Sequence, residues 1–261
     1  MNTSYILAGT LVGLLVGVTG VGGGSLMTPL LVFMFGFSPT VAVGTDLLFA
    51  AITKSVGVLV HHRSHGSVHW RIARSLCLGS IPASLLALYF LHSYAQLGRD
   101  ISRPITVTLG IALALTACAL CIKPQVRDLG QRLPRPVIRY IGQHRQTATI
   151  AIGVLLGVLV TLSSVGAGAL GTVSLLLLYP ALPAVRVVGT DLAYAIPLAT
   201  VAGVGHWALG NVDWQLLVTL LVGSVPGIWV GSHISARIPN WILRPVLVTM
   251  LIVVAVKCLW R

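Results

Sequence analysis

Gly17-Val18-Thr19-Gly20-Val21-Gly22-Gly23-Gly24-Ser25-Leu26-Met27-Thr28-Pro29 interrupts an apolar run near the N-terminus with five glycines and no charge. Backbone of this composition is exposed and free to adopt positive φ, which suits N–H groups converging on an anion. At bilayer depth such a break is tolerated only where it is buried in protein or lines a cavity, so its position alone makes it a candidate site. The plainer account is a kink, or a close helix crossing made by small residues. A second copy shifts the balance. Ser163-Ser164-Val165-Gly166-Ala167-Gly168-Ala169-Leu170-Gly171 interrupts another long apolar run in the second half.

Outward from these two breaks, the apolar segments lie at 6–37, 41–60, 72–91, 104–122, 147–179, 184–208, 214–233 and 241–259. Six have ordinary spanning length. The two broken ones do not: 32 residues of straight helix would run roughly 48 Å, against a hydrocarbon core of about 30 Å. Each is expected as two short helices folded into a hairpin, or as one long helix that unwinds and tilts.

Composition agrees. The chain is 56% hydrophobic and 8% charged with a mean hydropathy of +0.95, the profile of an all-α polytopic membrane protein. Its 17 Lys and Arg against 5 acidic residues lie mainly in loops between apolar runs, so positive-inside orientation explains the charge better than a nucleic-acid partner. The expected location is the bacterial inner (plasma) membrane, crossed several times. Residues 1–5 carry no basic side chain, which argues against a cleaved signal peptide.

The two halves repeat. Gly44-Thr45-Asp46-Leu47 returns as Gly189-Thr190-Asp191-Leu192, and Gly79-Ser80-Ile81-Pro82 as Gly223-Ser224-Val225-Pro226. Gly66-Ser67-Val68-His69-Trp70 matches Gly210-Asn211-Val212-Asp213-Trp214, and Arg103-Pro104 matches Arg244-Pro245. The resulting division is a first transmembrane repeat at 1–122, a basic cytoplasmic linker at 123–146 and a second repeat at 147–261. The basic loop around His69 against its charge-poor counterpart around Asp213 favours opposite orientations, hence inverted repeats. Each repeat is expected to hold a glycine-broken helix or re-entrant hairpin and three spanning helices.

These motifs, with the His61-His62 to Trp70 region and its counterpart at His206 to Trp214, resemble the sulfite exporter TauE/SafE family of membrane permeases, within the 4-toluene sulfonate uptake permease superfamily. The resemblance covers nearly the whole chain. It implies transport of small sulfur-containing oxyanions such as sulfite or organosulfonates, in many members coupled to an ion gradient such as H+ or Na+. Paired broken helices in a duplicated chain are more typical of alternating access than of a channel. Whether the protein forms a homo-oligomer is open at this stage.

A sulfonate is compact, charged and rich in acceptors, so it needs clustered donors. The candidate substrate-binding residues are Gly20, Gly22, Gly23, Gly24, Ser25 and Thr28 at the first break and Ser163, Ser164, Gly166 and Gly168 at the second, with Thr172 beside it. Any one of these hydroxyls is as readily explained by bonding its own helix. Lys54 either snorkels to the cytoplasmic interface or is a positive charge within the permeation path. Thr45, Asp46, Thr190 and Asp191 are candidates for ion coupling or for capping the helices they seem to open, and His206, like His61 or His62, for proton relay or an interfacial role. Pro82, Pro197 and Pro226 mark expected kinks.

Other classes have weaker support. Cys118-Ala119-Leu120-Cys121 has redox-motif spacing, which makes a membrane thiol-disulfide oxidoreductase the alternative. The pair sits in a continuous apolar run without a nearby base, where cysteine is ordinarily a small hydrophobe. No nucleophile motif accompanies the embedded acids, no spacing resembles a metal site, and the glycine stretch lacks the Gly-Lys-Ser/Thr ending of a phosphate loop. The expectation is a permease without catalytic residues, metal or cofactor.

Overall fold

The computed structural model describes residues 3–19, 24–65, 68–132, 135–234 and 240–260. Ten helices follow in order: α1 Thr3–Thr19, α2 Gly24–Phe33, α3 Pro39–His65, α4 Trp70–Gln96, α5 Ser102–Arg132, α6 Arg135–Ser163, α7 Ala169–Leu178, α8 Ala184–Ala208, α9 Trp214–Ile234 and α10 Asn240–Leu259. No strand occurs among the described residues. Five stretches, on α4, α5, α6, α8 and α9, are long and apolar enough to cross a membrane. The expected linker at 123–146 is largely helix: 123–132 prolongs α5 and 135–146 begins α6.

Both broken runs double back. The Tyr5 ring near the start of α1 lies 5.0 Å from Phe35 and 5.8 Å from Phe37, just past the end of α2. In the second run, Tyr179 after α7 shares a 2.8 Å hydroxyl contact with Thr149, near the start of the apolar part of α6 that begins at His144, and the Arg145 guanidinium sits 5.6 Å from its ring centroid. A helix that unwound and continued would carry those ends apart. The hairpin alternative therefore describes both runs.

Small residues let backbones approach where a bundle in lipid gains nothing from burying apolar surface against apolar surface. Helix α1 packs along α9, and α6 along α4. A Cβ at Gly9 or Gly13 would lie 2.4 Å from the carbonyl oxygens of Leu220 and Ser224; one at Gly157 would lie 2.4 Å from Ser80 O. From the other side, a Cβ at Gly223 would meet Ile6 O at 2.1 Å, and at Gly79 would meet Ile150 O at 2.1 Å. The pairing is reciprocal: the hairpin of each half lies against a spanning helix of the other.

Helices α3 and α8 cross at the centre, and the largest core cluster gathers Val43 and Leu47 with Tyr194, Leu198 and Ala202 there. Apolar side chains elsewhere point outward in helical stripes, as Val218, Val222, Val225 and Trp229 do on α9. Such stripes are the lipid-facing surface of a bundle.

Gly157→Val is expected to lower the thermal midpoint of the purified protein, by about 1–3 kcal/mol of overpacking, because the new side chain must push α6 off Ser80 O. Leu155→Val, on the exposed face of the same helix, is the control and is expected to leave it within experimental error. Equal midpoints, followed by size-exclusion fluorescence on heating, would show that the close crossing carries no stability.

Candidate functional site

The hairpin tips and the α3–α8 crossing meet in one polar cluster. Asp46 on α3 is wholly buried and Asp191 on α8 is 3% exposed. Neither opens its own helix. α3 begins at Pro39 and α8 at Ala184, which puts both carboxylates about two turns inside and rules out capping of those helices. Each faces the short helix of its own half instead. Thr28 on α2 donates to Asp46 Oδ2 at 2.5 Å, and Thr172 on α7 lies 3.4 Å from Asp191 Oδ2. The Gly168 amide, at the N-terminus of α7, also bears on Asp191. The carboxylates thus complement the positive ends of half-helices buried at depth.

The neighbouring threonines tie the halves together. Thr190 Oγ1 accepts the backbone N–H of His69 at 3.0 Å, and Thr45 Oγ1 accepts that of Asp213 at 3.1 Å. His69 and Asp213 precede α4 and α9, so each Thr-Asp pair anchors the helix start of the opposite half through Thr and reaches its own hairpin through Asp. Gly44 belongs to the same joint, since a Cβ there would lie 2.1 Å from Asn211 O.

Lys54 lies on α3 with its side chain 7% exposed, inside the bundle and not at an interface. Its ammonium donates to Ala167 O in the second break at 3.2 Å, and its charge acts on both Asp46 and Asp191. A cation two turns from Asp46 along the helix is thereby shared between the carboxylates by folding. Lys123, near the end of the apolar part of α5, adds a second positive charge that acts on Asp191.

The second break is strained. Ser164 has φ of 58°, the only positive value for a non-glycine among the described residues, and Gly166 and Gly168 have φ of 123° and 126°. Strain of this kind persists only where the surroundings enforce it, and it concentrates at binding sites and switches. Ser163 is committed to the turn: it donates to Leu159 O at 2.5 Å and accepts the Val165 N–H at 3.2 Å. Thr172 likewise donates to Gly168 O. Ser164 Oγ is buried beside Asp46, whose carboxylate its hydroxyl favours, but makes no close hydrogen bond of good geometry among the described residues.

Among the described residues, Asp46 Oδ1, Asp191 Oδ1 and Tyr194 Oη are also buried without a close hydrogen-bond partner. Buried polar atoms are paired in the great majority of cases, so a convergence of unpaired ones marks a place where something polar binds. His206 is buried beyond this cluster, with Nε2 2.9 Å from Thr161 O and Nδ1 unpaired. Of the other candidates, Gly20, Gly22 and Gly23 lie outside the described residues; Gly24 opens α2, and the side chain of Ser25 is likewise outside.

Tyr194, Gly171 and Lys123 were not singled out by sequence. Tyr194 stands three residues after Asp191 where Phe49 follows Asp46, a one-atom difference between repeats that could have been noticed. Gly171 had no such signal. A Cβ on it would lie 2.0 Å from Asp191 Oδ1 and 2.9 Å from Tyr194 Oη, so its hydrogen is what lets the two oxygens converge. Gly171→Ala is expected to destabilise the protein, and Asp191→Ala to relieve much of that cost, with a double-mutant coupling of about 1–2 kcal/mol. Additive effects on thermal unfolding would mean that the two groups do not compete for that space.

Cys118 and Cys121 are exposed on the outer face of α5. They do not take part in the polar cluster, and the redox alternative gains no support from the fold or from related proteins.

The model of the sulfite exporter TauE/SafE family matches residues 5–258. A probable membrane transporter protein of Bacillus subtilis (strain 168), YjnA, is 37% identical over 257 residues, 98% of this chain and 99% of that protein. A second from the same organism, YdhB, is 26% identical and covers 92% of each chain; a probable membrane transporter protein of Xylella fastidiosa (strain 9a5c) is 26% identical over 97% of this chain and 93% of its own. No solved structure matches. This is a multi-pass membrane protein, and the chain belongs to the sulfite exporter TauE/SafE family.

Proposed function

We propose that the protein is a secondary transporter that moves a small sulfur-containing anion, such as sulfite or an organosulfonate, across the bacterial plasma membrane by alternating access. The observation that carries this reading is the buried cluster of Lys54, Asp46 and Asp191 between a strained hairpin tip and the α3–α8 crossing. Ionisable groups at this depth are costly, and they persist in membranes mainly on substrate and ion pathways.

The cargo would sit against Lys54, Ser164 and the amides of the second break, including Gly166 and Gly168, facing Gly20, Gly22, Gly23, Gly24, Ser25 and Thr28 of the first. An anion there meets two carboxylates. Like charges 4 Å apart repel by about 4 kcal/mol at an effective dielectric near 20, so tight binding calls for a proton or a cation such as Na+ on Asp46 or Asp191. That requirement is the coupling: cargo and cation bind together or weakly. Thr45 and Thr190 act as struts in this scheme, and Ser163 supports the turn. His206 is a proton relay at most one step removed from the cargo.

Two inverted repeats, at 1–122 and 147–261, fit the crossed threonine bonds and the reciprocal packing of α1 on α9 and α6 on α4. With three crossings per half, hairpin α1–α2 would enter from outside and α6–α7 from the basic cytoplasmic side. Rocking one half against the other would open the cluster to each side in turn.

Reconstituted into liposomes, the protein is expected to take up sulfite or a sulfonate in preference to acetate, faster with an imposed proton or sodium gradient. Lys54→Gln is expected to cut the rate at least tenfold, and Gly168→Leu to abolish binding while the protein still inserts. Uptake that is indifferent to the oxyanion, or undiminished by both substitutions, would refute the proposal.

A further inference from the structure

A cavity of about 520 Å³ opens away from the central cluster, between the N-terminal end of α4, Arg145 and Gln146 three turns into α6, and the α7–α8 connection. Its polar wall is His69, Arg71, Ser75, Arg145, Gln146 and Tyr179, and no carboxylate lines it among the described residues. Two guanidinium groups therefore face a shared space with no acidic counter-charge in its lining. Arg145 is held there: its guanidinium lies over the Tyr179 ring at 5.6 Å from the centroid, while Thr149 fixes the Tyr179 hydroxyl at 2.8 Å. Its Nε is buried without a partner, and so is His69 Nδ1. Ser75 has already spent its proton on Arg71 O, 3.1 Å away.

The scaffold does not demand this charge. In the corresponding corner of the other half, by sequence register, Asp213 stands for His69, Gln215 for Arg71, Thr219 for Ser75 and Phe35 for Tyr179. By that register the second corner has a carboxylate at Asp213 and an amide in place of the Arg71 guanidinium. The same backbone arrangement is thus built once with a cationic wall and once without, and a purely structural need would recur in both.

We infer that this cavity binds an organic oxyanion, a sulfonate or phosphate group carrying a small apolar body. Planar guanidinium forks match the paired oxygens of such a group, which Lys would meet only as a point charge. The volume is within the usual range for small-molecule pockets and far exceeds a bare oxyanion, and Ile72 and Leu182 supply apolar wall for the remainder. The basic residues of 54–74 and 123–145 put this mouth on the cytoplasmic side by the positive-inside rule. The ligand comes either free from the cytosol or as the headgroup of an anionic lipid. The inference does not depend on what the central cluster carries.

The test uses the full chain in nanodiscs. In phosphatidylcholine discs, benzenesulfonate is titrated calorimetrically; in a second arm the thermal midpoint is compared between phosphatidylcholine and phosphatidylglycerol discs. A free ligand appears as a benzenesulfonate isotherm whose affinity drops at least tenfold in Arg71→Gln and in Arg145→Gln. A lipid headgroup appears as a phosphatidylglycerol stabilisation that the same variants remove. Arg145→Lys, which keeps the charge and loses the fork, is expected to fall between wild type and Arg145→Gln, and it guards against a variant that merely folds badly. Every titration is repeated in the Lys54→Gln background: a benzenesulfonate isotherm that survives Lys54→Gln and is lost when Arg71→Gln is added belongs to this cavity, whereas one lost with Lys54→Gln alone belongs to the central cluster and overturns the assignment to the cavity. Absence of both signals from wild type, or their survival in both glutamine variants, would overturn the assignment.

Discussion

A charge or an open helix end inside hydrocarbon must be matched by protein, because no water is there to match it. Everything at the centre of this molecule answers that constraint. Two runs fold back on themselves, and α2 and α7 begin inside the bundle, where the positive end of a helix has no water to meet it. Asp46 and Asp191 approach those ends, and Lys54 offsets the carboxylates while its ammonium binds Ala167 O. Each part makes the next tolerable: without the carboxylates the helix ends would be orphaned, and without Lys54 the carboxylates would face each other's charge. The match is incomplete, since one oxygen of each carboxylate, Ser164 Oγ and Tyr194 Oη remain unpaired. A fully satisfied network would be a structural plug. An incompletely satisfied one can exchange partners.

The surrounding helices hold that network without directional bonds. Glycine-to-carbonyl crossings at Gly9, Gly13, Gly79, Gly157 and Gly223 bring α1 onto α9 and α4 onto α6 at distances only backbone without Cβ allows. Such surfaces can be close and still slide or rock, because their contact is dispersion between smooth faces. Among the described residues, the polar bonds between residues 1–122 and 147–261 are few: those of Thr45 and Thr190, Lys54 to Ala167 O, and Thr161 to Ser84 Oγ on the α4–α6 crossing. That distribution gives stiff units joined at defined points, which is the mechanical form that rocking of one unit on another requires.

Much of this could be read from the chain. The repeated Gly-Thr-Asp-Leu motif and the doubled glycine break located the centre, because both patterns are local and survive as strings of residues. What each motif does was less legible. Asp46 read as a helix cap because the apolar run starts near it, yet the helix begins seven residues earlier at Pro39, where Ser38 and Pro39 give a start signal that hydropathy ignores. The choice between hairpin and tilted helix had no local answer, since both bury the same residues; it is decided by Tyr5 meeting Phe35 and Thr149 meeting Tyr179, contacts about thirty residues apart in sequence. Gly171 was invisible for a similar reason. Its role is to leave room for a carboxylate twenty residues on, and no rule of spacing encodes an absence.

The differences between halves carry as much information as their likeness. A chain folded from two equal units would present the same cluster to both sides and could favour neither. By register, Tyr194 stands where Phe49 does, Gly171 where Met27 does and Ala199 where Lys54 does, so that a hydroxyl closes on Asp191 over a bare glycine at the positions that hold a ring and a thioether in the first half. Asp46 has its short bond to Thr28 at 2.5 Å, whereas Thr172 stands 3.4 Å from Asp191 and gives its proton to Gly168 O. Asp191 is therefore the carboxylate less committed to protein donors, and the one beside the unpaired Tyr194 hydroxyl. Exchange of a proton or cation costs least where the existing bonds are weakest. On that argument, if the proposed transport is coupled to a cation, Asp191 is the carboxylate that would exchange it and Asp46 the one that stays bound to protein.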